Sequence, residues 1–302
     1  MLHLLNGDAT VLPDDLPGER AVWRDILMEG PSNVDVETRA TWLAPRLEVT
    51  PEAYARGWCE GQATVTRAKE HDEVVLWFER DLFCAINLWL LLAHVDVARV
   101  SLVFPEVTNE ARGLGTFEPA RLLALFEQRH TLTTDELAEA RALWLAYAAP
   151  EPTTLARLEP SFPFARAAIR LHCGRFPSVA HGLDEVEHAT LQALSAATEL
   201  PRLFVAIARS VALNRLGMGD LQFAAILRDL ATGPTPLVNI ERHGEPSGRW
   251  RISRTPAAIE VLSGRIDRLA LLPLDRWLGG VHLRPGAPLW RWDADRSALV
   301  VA

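Results

Sequence analysis

Short apolar runs of strand length alternate with segments of helical period through the first hundred or so residues. No other feature limits the possible folds of this chain as much. LHLL (2–5), AVW (21–23), EVVLWF (73–78) and RVSLVF (99–104) are the strand-like runs. Between them, VETRATWLAPRL and PEAYARGWCEGQATVTRA place apolar residues three and four apart, the first being helical at least in part. DLFCAINLWLLLAHV is a strongly apolar helix that opens on Asp81, a carboxylate able to cap it. Strands that alternate with helices predict an α/β domain, a Rossmann-like parallel sheet with helices packed on it.

In such sheets ligands bind beyond the carboxyl ends of the strands, so the residues that follow each strand are the candidate site. The first strand ends in Asn6-Gly7-Asp8, the second in Arg24, Asp25, Glu29 and Gly30, the third in Glu79-Arg80-Asp81 and the fourth in FPEVTNE. Gly7 permits close backbone approach or positive φ, while Asn6 and Asp8 supply donor and acceptor groups. Arg24 has the planar fork that holds an anion in two hydrogen bonds. Crowded carboxylates raise one another's pKa for acid–base work or collect a hard cation, and nothing here chooses between the two. The expected catalytic groups are Asp8, Asp25 and Glu29, with Asp8 or Asp25 as base or metal ligand. The expected ligand-binding groups are Asn6, Gly7, Arg24, Glu79 and Asp81. Each has a plainer role as well: Asp8 caps a turn, Asp81 caps the third helix, and Arg24 pairs with Asp25 or Glu29 in the interior.

Several chemistries lack their signatures. There is no GxGxxG after the first strand, GLG at 113–115 being too short to count, and no GK[ST] loop, GxSxG or HExxH. Lys69 is the only lysine, in a charged stretch expected to be exposed, so Schiff-base chemistry has one poor candidate. Cys59, Cys84 and Cys173 form no CxxC pair and read as buried thiols, with neither a disulfide framework nor a zinc site. His3, inside a strand, and His71, in a charged turn, read as structural or solvated. Cofactor and metal are left open by the sequence. No apolar run reaches the roughly 18 residues of a membrane span, and no secretory signal is evident, so the expected compartment is the cytoplasm.

The back half is expected to be mainly helical and then winged. EPARLLALFEQR and TTDELAEARALWLAYAA are amphipathic, with Thr133 or Thr134 and a nearby acid as a cap. The proline-rich PEPTTLARLEPSFPF marks the expected boundary between an α/β domain, 1–150, and a second domain, 151–302. His172, His181 and His188 follow at spacings that do not match a metal site. LPRLFVAIARSVA, GMGDLQFAAILRDLA and PLVNIERHGEPSGRWRISRTPAAIEVLSG give two short helices, a third beginning after Gly219-Asp220, and a strand–turn–strand with Gly244 and Gly248 at its tip, the order of a winged helix, whose third helix often enters the DNA major groove. Gln222 and Arg228 are the only base-reading groups it offers, whereas Arg242, His243, Arg249, Arg251 and Arg254 on the wing suit phosphate. The net charge is −8, yet residues 200–302 hold 14 Arg against 9 acids, so the negative excess lies in front. DNA or a protein is therefore an alternative partner for the back half. In LDRWLGGVHLRPGAPLWRWD, Asp275 and Arg276 are placed to pair. The segment either staples the tail to the core or carries Arg276 or His282 across to the front cleft.

LHLLNGD, VWRDILMEGP and VVLWFERDLFCAINLWLLL, in that order and spacing, resemble the N-terminal domain of the DUF1835 family of bacterial proteins. The segments from FPS through MGDLQFAAILRDLA to the tryptophan-rich tail are similar to the back half of its longer members. The resemblance implies an α/β front domain and points to the same Asn6, Asp8, Arg24, Asp25, Glu29, Glu79 and Asp81; it implies no particular reaction. The expected function is binding of a small polar or phosphorylated ligand at the strand ends, with or without catalysis. The rival expectation is a regulator or adaptor that acts through the back domain, and a third is a structural interaction protein without a pocket.

Overall fold

A computed structural model describes residues 1–32, 35–105, 113–208 and 215–302. Most of the stretch after the fourth strand, 106–110 of FPEVTNE, and the end of LPRLFVAIARSVA, 209–212, lie outside the described residues.

Strands β1 (Leu2–Asn6), β2 (Glu19–Trp23), β3 (Val74–Trp77) and β4 (Val100–Val103) form a parallel sheet, closed at one edge by the antiparallel β5 (His130–Thr131). Their order is β2-β1-β3-β4-β5. The chain therefore leaves β1 to one side and returns on the other, so the connections diverge between β1 and β3, where an open sheet forms its ligand crevice. Helices α1 (Val36–Leu43) and α2 (Pro51–Arg67) join β2 to β3, and α3 (Leu82–His94) joins β3 to β4. α4 (Pro119–Glu127) and α5 (Thr134–Tyr147) flank β5.

Strand side chains alternate between two covered faces. Leu4, Leu76 and Leu102 join the main core, whereas Leu5, Val75, Trp77 and Val103 join a smaller cluster with Leu122 of α4. α3 is apolar all round because it is buried all round: Asp81 caps it, the sheet covers one side, and α5 and α7 (Ala165–Cys173) pack on it. α5 starts with a reciprocal capping box between Thr133 and Glu136.

After α6 (Pro152–Ala156) and α7, the chain forms α8 (Glu185–Ala193), β6 (Thr198–Glu199), α9 (Leu200–Ala208), α10 (Asp220–Leu230), β7 (Val238–Glu241) and β8 (Arg251–Arg254). The three strands form an antiparallel sheet in the order β6-β8-β7. α11 (Pro256–Leu262) and α12 (Arg268–Leu271) lead to two hairpins, β9 (Arg276–Leu278) with β10 (Val281–Leu283), and β11 (Trp290–Asp293) with β12 (Ala298–Val301). The tail is a staple. Gly280 N–H donates to Tyr147 O at 3.0 Å, Ser32 N–H to Gly279 O at 3.2 Å, and Trp292 N–H to Pro177 O at 2.8 Å. The change of sequence pattern near residue 150 is not a break in the interior, since one buried apolar cluster runs from Leu2 to Leu299.

Two expectations need correction. Cys59 is exposed, because its position on α2 faces solvent, while Cys84 and Cys173 are buried. Arg276 does not pair with Asp275: it is drawn inward by Asp184 and Glu187, and Asp275 instead takes His282 Nε2 at 2.6 Å.

Candidate functional site

Register places the ends of β1 and β3 side by side. Leu5 pairs with Trp77, so Gly7 stands level with Glu79 two residues on. Gly7 has φ +91°, a conformation costly for other residues, and its N–H donates to Trp23 O at 2.9 Å. A Cβ built there meets nothing within 4 Å, so the turn opens to free space.

Asn6 faces the start of α3. Its amide N–H donates to Cys84 Sγ at 3.0 Å, and its Oδ1 accepts from Asn87 at 3.2 Å. Asn87, fully buried, also donates to Asp25 O at 3.0 Å and accepts from the Trp23 indole at 3.1 Å. One amide thus ties the ends of β1 and β2 to α3.

The acidic groups at this edge are Glu79 and Asp81. Asp81 Oδ1 accepts from Cys84 N–H at 2.7 Å, and Glu79 Oε1 accepts from Leu114 N–H at 2.7 Å. Among the described residues neither lies within ion-pair distance of a cation. Part of Asp81 as a residue remains exposed, but its carboxyl is enclosed, and the surroundings of the carboxyl set its titration. Burial, reinforced by the charge of Glu79 and opposed by the Cys84 N–H, pushes Asp81 up to about 7. Burial likewise raises Glu79, and it raises the Cys84 thiol well above its ordinary value. The enclosing wall comes from the back half: Gly217, at φ +66°, lies so close that a Cβ there would come within 2.7 Å of the Asp81 carboxyl.

The other expected groups are engaged elsewhere. Asp8 and Arg24 form a two-pronged ion pair at 2.7–3.0 Å, exposed on both sides, and this bond holds the Asp8 carboxyl below its usual range. Arg24 is therefore not a free anion clamp. Asp25 is buried and accepts from Tyr54 OH at 2.6 Å and Arg39 Nη2 at 3.2 Å. Glu29 pairs with Arg175 at 2.6 Å. The expected catalytic set of Asp8, Asp25 and Glu29 therefore does not converge, because α1, α2 and the end of α7 supply each carboxylate beyond β2 with its own partner. The plainer expectation for Asp81, a helix cap, holds alongside its place in the site. His3 is buried between Pro17 O and Trp77 Nε1, each 3.0 Å away.

A narrow crevice separates front and back halves, with Glu29, Arg46, Arg175, Asp184, Gln222, Asp229 and Arg276 on its walls. Its charges are paired: Arg46 with Asp229 at 3.2 Å, and Arg276 with Asp184 at 2.5 Å and with Glu187 at 2.7 Å. Arg268 joins Glu187 at 3.3 Å, completing a buried network of two cations and two acids. Contact with both arginines keeps Glu187 below the usual carboxylate range, while burial and the Glu187 charge raise Asp184. The Gln222 Nε2 in this crevice has no hydrogen-bond partner among the described residues.

The candidate base-reading groups on α10 point into the molecule. Gln222 Oε1 accepts from Gly219 N–H at 2.9 Å, and Arg228 pairs with Glu48 of the front half. In the β7–β8 hairpin, Arg249 pairs with Glu245, His243 stacks on Trp250, and Arg254 donates to Leu191 O.

Among the described residues, no group of three or more His, Cys, Asp or Glu side chains is disposed to hold a metal, and no helix is long and apolar enough to cross a membrane. Comparison with family models, curated proteins and solved structures finds no match for this chain.

Proposed function

We infer that the carboxyl edge of the front sheet binds a small polar ligand that presents an amine or another hydrogen-bond donor to Glu79 and Asp81. One observation carries this reading: at the point where the sheet connections diverge stand two neighbouring, largely buried carboxyls with no cation at ion-pair distance among the described residues. A buried carboxylate without a partner is costly, so such groups either hold a proton or await a donor from outside. Asn6 supplies a neighbouring amide, Gly7 the opening, and the Asp8–Arg24 pair a polar rim. Arg24, the expected phosphate clamp, is paired with Asp8, which favours a ligand class of cations and neutral donors. In a catalytic version, Asp81, near neutrality in its titration, passes a proton to or from the ligand, and Glu79 shapes that titration. The reading agrees with the site to which the DUF1835 resemblance points.

The test is calorimetric titration of the full chain with amines, amino acids and nucleosides, repeated on Asp81→Asn and Glu79→Gln. Both substitutions keep the backbone hydrogen bonds that these side chains accept. A ligand bound by the wild type and lost in both variants supports the reading; binding unchanged in both refutes it.

A second reading has its own observation. The order α8–β6–α9–α10–β7–β8, with β6-β8-β7 pairing, supports a winged-helix-like back module. Its third helix is held by the front half through Arg228–Glu48 and Asp229–Arg46, which favours a protein-docking or adaptor role over reading DNA. Gel shifts over a salt series decide this, since phosphate contacts make log K fall with log salt.

A further inference from the structure

A groove of about 170 Å³ runs between α6, α7 and the β11–β12 hairpin, remote in sequence from the strand-end residues. Its size suits a short, slender molecule rather than a drug-sized one. The floor is apolar, made by Ala156, Leu158, Ile169, Cys173 and Trp292. Ile169 and Cys173, four residues apart, form one stripe of α7, while Arg166 and Arg170 form the next stripe and reach the groove's edge. Arg166 is paired with Glu159 at 2.8 Å. The Arg170 guanidinium has no hydrogen bond or ion pair among the described residues, and its charge reaches the Glu185 carboxyl, which burial has raised. The groove therefore combines an apolar floor with one available cation at its lip. With Arg166 already paired, a single guanidinium at the lip matches a singly charged anion better than a dianion such as phosphate.

We propose that this groove binds a small carboxylate with an apolar tail, the tail lying on Ile169 and Trp292 and the carboxylate meeting Arg170. Arg170 is exposed, so Arg170→Gln removes the charge without touching the core. Ala156 is partly exposed at the end of α6, so Ala156→Phe fills the groove from its edge.

The experiment is calorimetric titration of the full chain with octanoate, with octylamine, octanol and inorganic phosphate as comparisons. Saturable binding of octanoate, weaker binding of octanol and none of octylamine or phosphate are expected. Arg170→Gln should weaken octanoate by about fivefold, in keeping with one partly exposed charge pair, and Ala156→Phe should abolish its binding. No saturable octanoate binding, equal binding of octylamine, phosphate binding in place of octanoate, or full binding by Ala156→Phe would each overturn the proposal. If Ala156→Phe lowers the melting temperature, Arg170→Gln and the octylamine comparison still decide. Variants at Asp81 and Glu79 are expected to bind octanoate normally, which separates this site from the strand-end site.

Discussion

Replacing Asp81 by asparagine is expected to stabilise the protein at neutral pH, although it removes a helix-capping acid. Asparagine caps a helix about as well as aspartate does, so the Cys84 N–H keeps its acceptor. What changes is the titration. Burial and the neighbouring Glu79 hold the Asp81 carboxyl up to about 7, against an ordinary value of 3.8. A carboxyl with a raised folded-state pKa favours folding while it is protonated. Its contribution is therefore fully present below about pH 4 and is lost as the pH rises through about 7. The gap between the two values corresponds to about 4 kcal/mol of penalty above neutrality. Losing the charge at the helix N-terminus gives back about 0.5–1 kcal/mol. Asp81→Asn should thus nearly match the wild type at about pH 4 and exceed it by up to about 3 kcal/mol at about pH 8. Urea denaturation of both proteins across that range measures the difference, in which most other titrating groups cancel. A difference that stays flat with pH, or that grows in favour of the wild type as the pH rises, would refute the claim that this carboxyl is enclosed without a cation.

Three further outcomes are expected. Arg276→Met should cost about 3–5 kcal/mol in chemical denaturation, because it leaves Asp184 and Glu187 with only Arg268 between them, and adding Asp184→Asn should recover part of the loss. Tyr54→Phe should destabilise by about 1–3 kcal/mol, since buried Asp25 and Arg39 both lose a hydroxyl partner; an unchanged midpoint would show that water replaces it. Asp8→Ala should change stability by less than about 1 kcal/mol, because its pair with Arg24 is exposed; a larger loss by the same measurement would mark that pair as structural.

The fold was largely legible where local signals agree. Short continuous apolar runs, the long apolar run of α3 and the caps at Asp81 and Thr133 each specify their elements from nearby residues, and the strand-end rule directed attention to Asn6, Gly7, Glu79 and Asp81. The partners were not legible. Asp25 finds Arg39 and Tyr54 on helices that follow it, and Glu29 finds Arg175 well over a hundred residues away. Charge pairing across a fold depends on packing, which spacing along the chain does not encode. One signal was available and would have helped: Asn87 is the sole amide in the apolar run LFCAINLWLLL, and a polar side chain in a helix buried on all sides must find partners, here Asn6, Trp23 and the Asp25 carbonyl. Arg276 was singled out, but toward its neighbour Asp275, because adjacency in sequence was taken for adjacency in space.

The buried network around Arg276 has a consequence for the order in which the chain matures. Asp184 and Glu187 sit at the start of α8 and leave the ribosome long before Arg268 and Arg276 are made. Until then both acids lack the arginines they pair with, and α8 settles into the interior at neutral pH only at the cost of protonating them or leaving a gap. The last hairpins also supply the hydrogen bonds that close over Tyr147 and Pro177. Completion of the native core thus waits on synthesis of residues beyond 276, and a product terminated before that point would expose α8 and the end of α5 to proteases rather than persist as a folded front half.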